Sequence, residues 1–223
     1  MGLQKLTLLD FPEKVACTVF IGGCNMRCPY CHNSDLIAPT DAAIMSIEEF
    51  FAFLESRKNL LGGVCITGGE PLLSANIIDF ARQIKQLGYA VKLDTNGSNP
   101  SKLTQMIGEG LVDYVAMDIK NSRENYNSAA GCAVYIEKIQ QSASLLLKGG
   151  VDYEFRTTVV RELHTEADIA SIGEWIRGAK RYSIQNFQQS PNVMGDDLSG
   201  FTQPELEHFA SIMQNYVDEV KIK

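Results

Sequence analysis

Short β-rich apolar runs alternate along the chain with segments whose apolar residues return every three or four positions. The runs predict strands over 15–21 (VACTVFI), 63–67 (GVCIT), 90–94 (AVKLD), 113–119 (DYVAMDI), 152–159 (DYEFRTTV) and 181–187 (RYSIQNF). Several read as apolar on both faces, which suits parallel strands covered by helices better than an antiparallel sheet with one wet side. Between them, Ile47, Phe50, Phe51 and Leu54 form one helical stripe, and Ser46 with Glu49 fits a capping box at its start. Ile77, Phe80, Ala81, Ile84 and Leu87 repeat the stripe before Gly88, a residue suited to a left-handed stop. Thr165 is placed to cap a helix carrying Ile169, Ile172 and Ile176, and Thr202 with Glu205 fits a second capping box.

Strand and helix alternate about six times, and such crossovers are right-handed, so the chain is expected to curl into an α/β partial (β/α)6 TIM-like barrel. Six units fall short of the eight that close a full barrel, which leaves a lateral gap able to admit something large. No linker-like stretch or internal repeat divides residues 1–223, and a single domain is expected.

Composition is that of an ordinary globular protein, with 45% hydrophobic and 21% charged residues. The formal net charge of -7 and the lack of any Lys/Arg run speak against a nucleic-acid partner. No apolar run reaches the roughly 18 residues of a membrane span, and the N-terminal MGLQKLTLLDFPEK does not read as a signal peptide. A cytoplasmic location without membrane attachment is therefore expected, where six cysteines would stay reduced and serve metal ligation or burial.

Position separates those two roles. Cys24, Cys28 and Cys31 stand in a CxxxCxxC arrangement within GGCNMRCPYCHN, directly after the first expected strand, where parallel α/β folds gather ligands. Three thiolates leave one iron of a four-iron cluster without a protein ligand, whereas an electron-transfer cluster normally takes a fourth cysteine. Zinc is a competing reading through Cys28, Cys31 and His32, although adjacent Cys31 and His32 would meet one ion with poor geometry and no second CxxC or HxxxH pair completes a site. Reactive or unliganded thiols are the remaining alternatives. Cys17, Cys65 and Cys132 lack cluster spacing and are expected to be structural. No histidine stands with a paired nucleophile, so a hydrolytic triad has no foothold, and no side-chain acid or base is singled out as catalytic.

CxxxCxxC followed by Gly68, Gly69 and Glu70 resembles the radical S-adenosylmethionine (SAM) superfamily, over nearly the whole chain. Within it, LTLLDFPEK, RCPYCHN, ITGGEPLL, LDTNG and AMDIK are most similar to the short glycyl-radical enzyme activases that serve anaerobic ribonucleotide reductase. The resemblance implies a 4Fe-4S cluster on Cys24, Cys28 and Cys31, with SAM on its open iron. It implies that Tyr30 lies beside the adenine, where packing against the loop is the plainer alternative. Gly68, Gly69 and Glu70 would meet the methionine amino group: two glycines admit a ligand close to the backbone, and the carboxylate is a charge-assisted acceptor. Asp94 and Asp118, with Thr95 and Asn96 beside them, would hold a monovalent cation near the SAM carboxylate, or else serve as strand-end turns and caps. Lys120 and Arg156 fit either that carboxylate or an ion pair within the protein. Gln188 occupies the region where some pyruvate formate-lyase activases carry a histidine near SAM, a departure from that subgroup. His32 adjoins the cluster, while His164 and His208 read as surface positions.

The resemblance further implies reductive cleavage of SAM to a 5'-deoxyadenosyl radical. A glycine of a partner glycyl-radical enzyme would then lose a hydrogen atom to that radical, with reduced flavodoxin or ferredoxin as electron donor. The rival within the superfamily is chemistry on a small molecule, as in 7-carboxy-7-deazaguanine synthase.

Overall fold

A computed structural model describes residues 1–38 and 45–223. Among them one eight-stranded sheet runs in sequence order: β1 (Gly2–Thr7), β2 (Ala16–Ile21), β3 (Gly63–Gly68), β4 (Ala90–Thr95), β5 (Tyr114–Asp118), β6 (Asp152–Val159), β7 (Arg181–Asn186) and β8 (Glu219–Ile222). β1 pairs antiparallel with β2, and every later pairing is parallel. The outer strands β1 and β8 do not pair with each other, so the curled sheet is an open barrel. The six expected strands are β2 to β7; β1 and β8 extend the sheet beyond them.

The connections carry α1 (Ile47–Ser56), α2 (Ile77–Gln86), α3 (Pro100–Gly108), α4 (Tyr126–Ala130), α5 (Ile136–Leu147), α6 (Glu166–Trp175) and α7 (Gln203–Met213). Ser46 and Glu49 close a reciprocal capping box on α1, and Thr165 with Asp168 does the same on α6. At α7 the Thr202 backbone N–H and hydroxyl both donate to the Glu205 carboxylate, at 2.7 and 2.6 Å. Gly88 follows α2 with φ of +90°, the left-handed stop its sequence suggested.

The two faces of the strands differ in kind: the inner face carries apolar residues such as Ala16, Cys65 and Ala116 toward the floor and turns polar toward the C-terminal strand ends. Val19, Ile66, Leu93, Met117, Phe155 and Ile184 point outward into the core beneath the helices, against residues such as Phe50, Leu54, Phe80, Ile84, Leu103 and Ile172. The alternate positions Thr18, Thr67, Asp94, Asp118, Arg156, Thr158 and Gln185 line one cavity inside the curl. The floor of that interior is apolar: Phe11 packs with Ala16, Tyr114 and Ala116, and a Cβ on Gly63 would come within 2.8 Å of its ring. The LTLLDFPEK segment thus seals one end of the barrel and leaves the C-terminal strand ends to the site.

Candidate functional site

The loop after β2 is fixed by backbone bonds to three segments. Gly23 and Cys24 N–H donate to Leu36 and Ile37 carbonyls at 2.7 and 3.1 Å, Arg27 N–H to Ala130 at 2.8 Å, and Gly195 N–H reaches Pro29 at 2.8 Å. The Arg27 guanidinium turns back to accepting carbonyls of Cys24 and Met26, both at 2.8 Å. This bracing lets a loop without regular structure present three thiols to one cavity, since Cys24, Cys28 and Cys31 all line it. The Met26 N–H donates to Cys24 Sγ at 3.4 Å, a bond that would tune the electron density of this sulfur if it held a metal. Burial pushes the free Cys28 thiol up to about 11, against the opposing pull of Lys120, so metal loading must displace its proton.

Cys24, Cys28 and Cys31 are the three thiols of this lining, and among the described residues no three His, Cys, Asp or Glu side chains converge on a single ion. Thiols spread around one cavity suit a polynuclear cluster with an open iron better than a mononuclear zinc. His32 is committed elsewhere: its Nε2 lies 2.6 Å from the Gln188 carbonyl, and its ring stacks on Phe187 at 5.8 Å.

Across the cavity, Gly68 and Gly69 bring bare backbone to the lining. A Cβ on Gly69 would sit 2.2 Å from the Gly23 carbonyl, so this glycine lets β3 approach the cluster loop. Glu70 lies fully buried behind them, and its carboxylate accepts from Leu72 N–H at 3.0 Å, Thr95 Oγ1–H at 2.8 Å and Asn96 N–H at 2.6 Å. Burial outweighs these bonds and lifts its carboxyl to about 7. Glu70 therefore ties the GGE turn to the end of β4, fixing both Thr95 and Asn96 at the cavity wall.

Asp94 and Asp118 project from β4 and β5 into a network of opposite charge. Arg156 bridges them, with Nε 2.8 Å from Asp118 and Nη1 3.2 Å from Asp94. Lys120 Nζ stands 3.0 Å from the second Asp118 oxygen, and Lys92 takes the second Asp94 oxygen. Burial works against the charge on Asp94, but Arg156 and Lys92 outweigh it and hold the carboxyl below its ordinary range. The same balance holds Asp118 well below, through Arg156 and Lys120.

The cavity, about 370 Å³, brings together Tyr30, Gly68, Gly69, Asp94, Thr95, Asn96, Asp118, Lys120 and Arg156 from the expected set. The Tyr30 hydroxyl is buried without a hydrogen-bond partner among the described residues. Gln188 is exposed and lies outside the lining, where Gln185 of β7 stands instead. His164 is not at the surface: it is 2% exposed, Nδ1 accepts from Val160 N–H at 3.0 Å and Nε2 reaches the Lys120 carbonyl at 2.8 Å. It is a neutral strut beneath the Lys120 backbone, its pKa lowered by burial. His208, by contrast, is exposed beside Glu166, as expected.

Among the lining residues that sequence reasoning missed are Gln4, Asp10, Thr18, Phe20 and Thr158, and Lys92 lies beneath them. The available signal was period two: Thr18 and Phe20, or Arg156 and Thr158, fall on one strand face.

The Radical SAM superfamily model matches residues 18–176. A Methanocaldococcus jannaschii protein, provisionally named as a glycyl-radical enzyme activating enzyme, is 32% identical over 230 residues, covering 100% of this chain and 94% of its own length. The pyruvate formate-lyase 1-activating enzyme of Escherichia coli K12 is 29% identical over 166 residues, 71% of this chain and 67% of that enzyme. Among solved structures, Streptococcus suis SuiB bound to S-adenosylmethionine superposes with a TM-score of 0.71 at 13% identity, over 92% of this chain and 49% of that one. That likeness is one of fold.

Proposed function

The chain belongs to the radical SAM superfamily, and on that premise we propose that it is an activase that generates a glycyl radical on a partner enzyme, anaerobic ribonucleotide reductase. When bound, the 4Fe-4S cluster and SAM supply reductive cleavage of the sulfonium to methionine and a 5'-deoxyadenosyl radical. Cys24, Cys28 and Cys31 would hold three irons, and the braced loop fixes the backbone that carries the three sulfurs. Gly68 and Gly69 offer close backbone approach for the methionine moiety, with Glu70 setting the turn rather than touching it. Lys120 and Arg156 give the cavity a cationic wall that fits the amino-acid carboxylate. Tyr30 presents the aromatic wall and spare hydroxyl proposed for the adenine. The apolar floor at Phe11 and the packed outer core keep water from that side of the site.

The observation that carries the reading is the likeness along the full chain to a relative provisionally named as a glycyl-radical activase. It is supported by a cavity whose lining spans β1 to β7 beside the unpaired edges β1 and β8, an approach suited to a polypeptide loop. Reduced flavodoxin or ferredoxin is the proposed electron donor. The test is anaerobic reconstitution, reduction and incubation with SAM and the reductase: a glycyl doublet by electron paramagnetic resonance is expected on the reductase. Deoxyadenosine formed with a small-molecule substrate, and no doublet on any glycyl-radical partner, would overturn the proposal.

A further inference from the structure

The family resemblance gives Asp94 and Asp118 to a monovalent cation, but this chain has already supplied their counter-charges. Lys92 sits inside β4 between Val91 and Leu93, is 2% exposed, and directs its ammonium at Asp94 with Cys65 Sγ 3.8 Å behind it. The other Asp94 oxygen meets Arg156 Nη1 at 3.2 Å, and the Asp118 oxygens meet Arg156 Nε at 2.8 Å and Lys120 Nζ at 3.0 Å. All four carboxylate oxygens therefore face cationic donors. An alkali cation, which needs oxygen ligands, would have to displace one of those donors and leave it buried and unpaired.

Charge leads to the same conclusion. Within this network two carboxylates against Lys92, Lys120 and Arg156 leave one surplus positive charge, which suits the SAM carboxylate, while Asp10 on the same lining is bonded to the Thr18 hydroxyl. Without Lys92 the two aspartates, Lys120 and Arg156 would be neutral, and adding the SAM carboxylate would leave one surplus negative charge for a monovalent cation to neutralise. We infer that Lys92 stands in the electrostatic place of that cation, so that this protein binds SAM without sodium or potassium. Lys92 acts through Asp94 and is a positioning residue. The inference rests on the SAM site of the family and not on the identity of the partner, so its test needs no glycyl radical.

The test is SAM affinity of the reduced, cluster-loaded protein, read from the change SAM makes in the cluster's electron paramagnetic resonance spectrum. It is run in potassium chloride and in tetramethylammonium chloride of equal ionic strength. For the wild-type protein the dissociation constant is expected to agree within about threefold between the salts. Lys92→Met is expected to bind SAM about tenfold more weakly in tetramethylammonium and to recover most of that loss in potassium. The inference is overturned if the wild-type protein weakens by more than that threefold margin when potassium is withdrawn, or binds no SAM in either salt. It is equally overturned if Lys92→Met matches the wild type in both salts or is weakened alike in both. Should the variant fail to fold, the wild-type comparison decides alone.

Discussion

Gly131→Ala probes how far the cluster loop depends on the segment that follows α4. Gly131 adopts φ of +66°, and a Cβ there would lie 2.0 Å from the Arg27 carbonyl oxygen and 2.6 Å from its carbon. The left-handed conformation alone costs alanine about 1 kcal/mol relative to glycine. The contact adds more, because the obstacle is backbone and one side must move by about 1 Å to restore van der Waals separation. That movement breaks the 2.8 Å bond from Arg27 N–H to the Ala130 carbonyl, worth about 1 kcal/mol and more if the donor stays unpaired. The total is about 3 kcal/mol, or a fall in Tm of about 6–12 °C for a chain this long. Gly178→Ala is the control, since Gly178 has φ of +84° with no atom within 4 Å of the added Cβ. The difference between the variants, read by thermal unfolding of cluster-free protein, isolates the contact with the loop. Iron bound per chain after reconstitution should fall for Gly131→Ala and hold for Gly178→Ala. Equal Tm values and equal iron would refute the argument that this segment sets the position of Cys28.

Glu70 gives a pH signature with a definite sign. Its folded pKa of about 7 lies above the ordinary 4.5, so its contribution to stability is full below pH 4.5 and lost as pH rises through 7, a swing of about 3 kcal/mol. Glu70→Gln should flatten that slope in urea unfolding between pH 5 and 8, and parallel wild-type and variant profiles would count against a raised pKa. Phe11→Ala should cost about 3–5 kcal/mol, because the ring fills the barrel floor over Gly63, and a loss under 1 kcal/mol by denaturant midpoint would show that the floor closes without it. Alanine at Cys24, Cys28 or Cys31 should remove the SAM-responsive cluster signal, whereas alanine at Cys17, Cys65 or Cys132 should leave iron content intact; retention of the signal in any of the first three would break the ligand assignment.

The order of strands and helices was legible because each parallel strand carries an outward row of large apolar residues and each helix a single stripe. What could not be read was the character of the inner face. In β2 the inward Thr18 lies among Ala16, Cys17 and Val19, small or mildly apolar side chains that mute the alternation. Lys92 was the plain exception, a charged residue between two buried aliphatics, and its meaning depends on Asp94 of the same strand and on Arg156 of β6, two strands away. β1 and β8 escaped notice for another reason: at the sheet edges, with half their residues exposed, GLQKLT and EVKI carry too little apolar signal to stand out from loops. The cluster cysteines and the GGE turn were visible because each is one short contiguous segment. Gln4, Asp10 and Gln185 each enter the cavity singly from distant segments, so no local spacing announces them. His164 illustrates the same limit, since only its bonds to Val160 and the Lys120 carbonyl explain why a polar ring is buried there.

The division between faces also separates the sources of stability and of chemistry. Outward side chains such as Ile66, Leu93 and Phe155 are fully buried under helices, and each contributes on the order of 2 kcal/mol. The inward network of Lys92, Asp94, Asp118, Lys120 and Arg156 is a different kind of construction, because burying ion pairs recovers at best about what desolvation costs. A barrel interior filled with aliphatic residues would be at least as stable, so the network is maintained by the outer core rather than contributing to it. Its value is rigidity of charge: with every Asp94 and Asp118 oxygen paired, Arg156 and Lys120 are held at the wall before any ligand arrives. An anionic group entering the cavity then meets oriented donors and need not reorganise them, which is where binding free energy is otherwise lost.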